Sequence, residues 1–211
     1  MLSGNLSAER HVYGSALKSA AKTMKTITII ALVVLCVALA AAIALWLTPT
    51  KLVVESTAQI KAPRSLVYNK VARLSQFHTW SPWLQEDPQQ KHFITGTDGA
   101  VGSAYHWQGV KEESVGQQIL KTAVQDQLAQ FDCKITAPFT SEPVFTYEFK
   151  DLENSDLTEV TLRFELETGV PFNVISKFIG LKGHIETSNT AALKNLRGVC
   201  ESEAVASMLV K

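Results

Sequence analysis

From Ile27 to Leu47 the chain runs for 21 residues, ITIIALVVLCVALAAAIALWL, without one charge, and Thr28 is the only hydroxyl in the run. As an α-helix rising about 1.5 Å per residue it reaches about 31 Å, close to the roughly 30 Å hydrocarbon core of a bilayer. A helix also satisfies every backbone polar group where no water can. One transmembrane helix, 27–47, is therefore predicted. It separates a short N-terminal cytoplasmic tail, 1–26, from a water-soluble domain over 52–203.

Arg10, Lys18, Lys22 and Lys25 precede the run with only Glu9 against them, whereas the downstream flank offers Lys51 and then Glu55. Basic residues stay on the cytoplasmic side, so the C-terminal domain is expected on the outer, periplasmic side of a bacterial inner membrane. Trp46 suits the outer interface, and Pro49 cannot continue the helix. The competing reading is a cleavable signal peptide, for which Ala38, Ala40, Ala41 and Ala42 supply small residues. Signal cores usually span about 7 to 15 residues, and this longer run with its bulky Trp46 favours a retained anchor. Residues 1–23, rich in Ser and Ala, read as a disordered tail, and Met24-Lys25 is an alternative start of translation.

From Lys51 onward 16 Lys and Arg face 19 Asp and Glu, a balance that offers nucleic acid no attraction. About 160 residues remain there, enough for one domain with a real core. Cys36 lies in the apolar run. Cys133 falls in a strand-like stretch and Cys200 in a helix-like one, which leaves two buried free thiols or a bridge between them both open.

Leu52, Val54, Ser56, Ala58 and Ile60 alternate with polar partners in a first strand, and Pro63 opens a helix through Val67, Val71 and Leu74. In His78-Thr79-Trp80-Ser81-Pro82-Trp83, Pro82 should force an extended or turning backbone that splays the two indoles. Strands are expected at His92–Thr95, Ser103–Trp107 and Ser114–Val124, the first two joined by a turn at Thr97-Asp98-Gly99. Three clean alternations follow: Ala129, Phe131, Cys133 and Ile135; Phe145, Tyr147 and Phe149; and Val160, Leu162, Phe164 and Leu166. One wet face per strand marks an antiparallel sheet covered on one side. Phe172–Leu181 gives a short helix, Gly180 and Gly183 a bend, and His184 to about Glu203 a long closing helix with Ile185, Ala192, Leu193, Leu196, Val199 and Cys200 on one face. The expected class is α+β, two layers, with a curved antiparallel sheet around the last helix.

That order, with Ile60-Lys61-Ala62-Pro63, HTWSPW, Gly99-Ala100-Val101-Gly102-Ser103 leading to Tyr105-His106-Trp107, and Thr158–Leu166, resembles the START-related SRPBCC superfamily. Within it the chain looks like bacterial polyketide cyclase/dehydrase-like proteins, over about Val53–Glu201. The resemblance implies a helix-grip fold whose apolar cavity, between sheet and last helix, binds lipids, polyketides, sterols or other hydrophobic molecules. It implies no reaction, and members include carriers as well as cyclases.

Trp80 and Trp83 are candidates to close the cavity mouth and stack on a flat ligand, although packing of the first helices onto the sheet is expected to occupy at least one. Tyr105, Trp107, Phe131, Tyr147 and Phe164 are wall candidates, some of them plain core. His184 opens the last helix, facing either cavity or solvent. His78, His92 and His106 lack a partner at diagnostic spacing, and His106 should face solvent if Tyr105 and Trp107 face inward. The acidic pairs Glu86-Asp87, Glu112-Glu113 and Glu201 with Glu203 read as solvated charge. No metal-ligand spacing, phosphate-cradling loop or nucleophile elbow stands in the sequence, so neither metal nor cofactor is expected. The reading is a membrane-anchored binding protein whose partners are the bilayer and a hydrophobic small molecule or lipid. Its rivals are a cyclase, dehydratase or hydrolase using His78, His184 or Tyr105, and a non-catalytic envelope interaction module.

Overall fold

The computed structural model describes residues 5–111, 113–152 and 156–209, with side-chain surroundings from residue 22 onward. Met1 and the acidic residue Glu112 lie outside the described residues. The chain divides between Thr48 and Pro49 into two compact units. The first contains one helix, α1 (Asn5–Leu47). Its stretch from Lys22 to Leu47 is long and apolar enough to cross a membrane. Side chains such as Ile30, Val34 and Val37 are more than half exposed along it, an arrangement that water disfavours and lipid does not. Composition suggests a disordered tail before the run, yet the helix already begins at Asn5. Residues 5–26 contain no proline and many good helix formers, so a stable apolar helix can propagate backwards through them.

In the second unit, β1 (Lys51–Ile60) leads to α2 (Arg64–Ala72), a single 3-10 turn (Leu74–Gln76), α3 (Phe77–Trp80) and α4 (Pro82–Glu86). Six strands follow: β2 (Lys91–Thr95), β3 (Ala104–Gln108), β4 (Val115–Val124), β5 (Leu128–Ala137), β6 (Val144–Asp151) and β7 (Thr158–Glu167). The chain closes with α5 (Phe172–Phe178) and α6 (Leu181–Leu209). The seven strands form one antiparallel sheet in the order β1-β7-β6-β5-β4-β3-β2, so the first strand returns to pair with the last. This is the two-layer α+β architecture that the alternation predicts.

The sheet curls because its register is broken. β4 slips against β5 at Val115/Gly116 and again between Leu120 and Thr122, and such bulges bend a strand and sharpen its twist. α6 packs across β1 and against α2 and α3. Its inward face carries Ala192, Leu193, Leu196, Cys200 and Ala204, all buried against Ile60, Val71, Leu120, Phe131 and Leu162. Two polar latches hold that end. The Lys61 amide donates to Glu201 Oε1 at 2.9 Å, and the buried Thr158 hydroxyl donates to the Ala62 carbonyl at 2.8 Å.

One local expectation is corrected. Gly180 adopts φ +69° and separates α5 from α6, but Gly183 lies inside α6 and bends nothing, because the helix starts three residues before His184 and runs on to Leu209. HTWSPW has the extended backbone before Pro82 that the sequence allows. It is two short helices joined at an extended Ser81, φ −62° and ψ 124°, the conformation imposed on a residue preceding proline.

Candidate functional site

The extended Ser81 splays the two indoles as the sequence suggests. Trp80 points into the core, 2% exposed, and its Nε1 donates to the Lys70 carbonyl at 3.0 Å. Trp83 instead borders a cavity of about 370 Å³. Apolar side chains dominate the walls of this space, which lies between the concave face of the sheet and the N-terminal end of α6. β3 contributes Tyr105 and Trp107, β5 Cys133 and Ile135, β6 Phe145, β7 Phe164 and Leu166, and α6 Leu181 and Ile185.

An aromatic chain forms one wall. Phe77 stacks on Trp83 with centroids 6.2 Å apart, Trp83 meets Phe145 edge-on at 6.1 Å, and Phe145 meets Phe164 edge-on at 5.2 Å. Such offset and edge contacts are the favourable geometries for aromatic quadrupoles. Trp107 supplies the opposite flank, its Nε1 donating to Ser114 Oγ at 3.1 Å. Its cross-strand partner is Gly116, where an added Cβ would stand 2.4 Å from the indole and 2.6 Å from the Lys134 carbonyl. Only glycine allows the indole to lie flat across β4 at that position.

Polar residues also border the space: Ser114, Gln118 and Ser141, with Glu86, Asp87, Gln90 and Lys111. Tyr105 is 1% exposed, and its buried hydroxyl has no hydrogen-bond partner among the described residues. Burial pushes the phenol up to about 12, so it remains a neutral donor at physiological pH. Gln118 faces the same space from β4. Desolvation likewise raises the Cys133 thiol to about 12, leaving it protonated. Cys133 and Cys200 are both buried and free, which decides between the two thiol states that the sequence leaves open.

Asp87 corrects another expectation. It is 9% exposed rather than solvated, and its Oδ2 accepts from the amides of Val110 at 2.7 Å and Lys111 at 3.1 Å. The carboxylate thus ties the end of α4 to the β3–β4 loop beside the cavity. Glu113 has an exposed side chain at φ 51°.

The structure brings together Trp83, Tyr105, Trp107 and Phe164 on the cavity wall. Trp80, Phe131 and Tyr147 belong to the packed core; together with Trp83 they surround only a space of about 10 Å³. His184 is exposed, and Leu181 and Ile185 on either side of it face the cavity instead. No histidine lines the cavity among the described residues. His78 and His92 stack at 6.4 Å, His92 stacks on Tyr105 at 5.2 Å, and His106 bonds Thr95 Oγ1 at 2.9 Å on the other face of the sheet. The Gly99–Gly102 loop also lies away from the cavity, held by Asp98, which accepts from the Ser75 amide at 3.2 Å.

Sequence reasoning missed Phe77, Phe145, Ile135 and Leu166 as wall residues. Phe145 shares the alternation of Tyr147, and Leu166 that of Phe164, so period two places strand residues on the inward face without telling wall from filling. Asn189, 1% exposed on α6 with both amide atoms unpartnered among the described residues, was also missed.

No protein-family model matches the chain. A search of curated proteins likewise found no match. Solved structures do resemble it in fold. A protein of unknown function, SA2116 from Staphylococcus aureus, aligns with a TM-score of 0.56 at 16% identity over 72% of this chain and 95% of its own. CV1439 from Chromobacterium violaceum aligns with a TM-score of 0.52 at 14% identity, covering 71% and 96% respectively. Ara h 8.0201 aligns with a TM-score of 0.51 at 10% identity, covering 72% and 99%. At these identities the likeness shows a shared fold and nothing about ligands.

Proposed function

We propose that this chain is a membrane-anchored binding protein for a hydrophobic small molecule or lipid, built on a START-like, SRPBCC-type helix-grip domain. The anchor is the apolar part of α1. The basic flank of that helix supports a single pass through a bacterial inner membrane with the domain on the periplasmic side. The observation that carries the reading is the cavity of about 370 Å³, walled by Trp83, Trp107, Phe145, Phe164 and Ile185. Such a space suits a mostly apolar ligand, since a concave pocket lined chiefly by apolar and aromatic side chains is the usual form of a small-molecule site. Tethering serves this task, because a ligand that partitions into lipid is concentrated where the cavity is held.

The test uses the full chain in detergent, stripped of lipid, incubated with a bacterial membrane extract and examined by native mass spectrometry. The wild-type chain is expected to retain an apolar molecule. Ile185→Trp, which fills the cavity from α6, should lose at least ten-fold of that occupancy with unchanged circular dichroism. Equal retention by both proteins sinks the reading.

A further inference from the structure

We propose that Val170–Ile179, the segment carrying α5, docks on the bilayer surface as an apolar foot beside the cavity. This rests on the anchor part of the function proposed above and adds the surface that meets the lipid. Val170, Phe172, Ile175, Phe178 and Ile179 are 44–86% exposed, Phe178 the most. Five large apolar side chains within ten residues form an unpartnered face of the kind that marks an interaction site.

Chain connectivity selects lipid as the occupant. Three residue steps lead from Leu47, the last residue of α1, to Thr50, a reach of at most about 11 Å. The Thr168 hydroxyl donates to the Thr50 carbonyl at 2.8 Å and the Thr168 amide donates to the same oxygen at 2.5 Å, so the strand leading into α5 is fastened to the chain just beyond the span. Phe172 follows only four residues later. With Lys22–Leu47 in a bilayer, the short tether therefore holds this end of the domain near the headgroups. The opposite end is far away: Gln59, nine residues along β1 from Thr50, is about 30 Å from it.

Charge agrees with this choice. Between Val170 and Gly183 stand Lys177 and Lys182 and no acidic residue; Lys182 pairs with Glu186 at 3.7 Å, and Lys177, in the last turn of α5, is the cation suited to anionic lipid. The foot also adjoins the cavity. Leu181, three residues past Phe178, lines it, so a molecule leaving the outer leaflet beside α5 enters next to the aromatic wall.

The experiment uses the full chain carrying Cys36→Ala, in which the remaining thiols, Cys133 and Cys200, are buried. A nitrobenzoxadiazole label is placed at Phe178→Cys or, as reference, at Lys150→Cys, which is exposed on β6 and whose register through Glu159 reaches Gln59 at the far end of β1. After reconstitution into phosphatidylcholine vesicles with 30% phosphatidylglycerol, doxyl-labelled lipid should quench the label at 178 at least three-fold more than that at 150. Equal quenching overturns the proposal. So does a blue-shifted label at 178 that doxyl lipid fails to quench, since protein then covers the segment. Native mass spectrometry on the same preparations separates the two readings. Lipid-quenched α5 with an empty cavity sinks ligand binding alone, and a retained ligand with an unquenched α5 sinks docking alone.

Discussion

The two ends of α6 cover the same sheet and do opposite things. Around Leu193, Leu196 and Cys200 the helix meets Phe131, Tyr147 and Leu162 in a filled core, while around Leu181 and Ile185 it stands off from Cys133, Phe145 and Phe164 over a cavity. The change happens within two residues of a strand: Phe131 is packed and Cys133 is wall, Tyr147 is packed and Phe145 is wall, Leu162 is packed and Phe164 is wall. What differs is what fills the space from the helical layer. At the packed end α2 and α3 supply Val67, Val71 and Trp80 beneath α6, whereas at the other end Phe77 of α3, short α4 and the start of α6 leave a cavity over the sheet. A cavity in this fold therefore arises where the helical layer is thin, with no change in the strand pattern.

This contrast can be broken by truncation. Leu196→Ala, in the filled half, should cost about 2–5 kcal/mol, because a new void forms where none existed. For a domain of this size that lowers the melting temperature of the detergent-solubilised chain by roughly 5–15 °C. Gly116→Ala comes next at about 1–3 kcal/mol, since the added methyl must displace the Trp107 indole or the β5 backbone. Its signature is a shifted tryptophan emission with loss of ligand retention. Ile185→Ala, on the cavity wall, should cost only about 1 kcal/mol, as that side chain already borders empty space. A cost equal to that of Leu196→Ala would show that the cavity is closed in solution.

The cysteines sharpen the same comparison. Burial raises both thiols to about 12, so the reactive thiolate is scarce at neutral pH and increases about ten-fold per pH unit until the pH nears that value. Between pH 8 and 10, iodoacetamide should modify Cys133, which lines the cavity, before Cys200, which should react only on global unfolding. A bound apolar ligand should slow the first and leave the second unchanged, as peptide mass mapping can read. An effect as small as that of Ile185→Ala, and opposite in sign, is expected at Asn189. Replacing its unpartnered buried amide by Leu should stabilise the ligand-free chain by about 1 kcal/mol in a denaturant melt.

The fold was largely legible because alternation is a local property. Glu165 illustrates why: it lies on the wet face of β7 beside Lys51 and Arg163, and the hydrogen bond from Lys51 holds its carboxyl below the usual range. Apolar neighbours on one face and paired charges on the other can be read residue by residue. The site was legible only in part. Trp83, Tyr105, Trp107 and Phe164 are on the cavity wall, but Trp80, Phe131 and Tyr147 obey the same periodicity and are filling, and Asp87 reads as an ordinary loop carboxylate until the β3–β4 loop closes over it. Those distinctions depend on which distant element arrives opposite each side chain.

By itself, the sequence determined an apolar helix of membrane-spanning length, a one-sided antiparallel sheet and the inward face of a long final helix, because each is written in the spacing of neighbouring residues. Tertiary structure alone decided where α6 fills the sheet and where it leaves a cavity. It alone left the Tyr105 hydroxyl unpartnered, laid Trp107 over Gly116 and fastened Thr168 to Thr50. Each of these joins residues far apart along the chain, and packing between distant elements follows from shape and volume that no local period encodes.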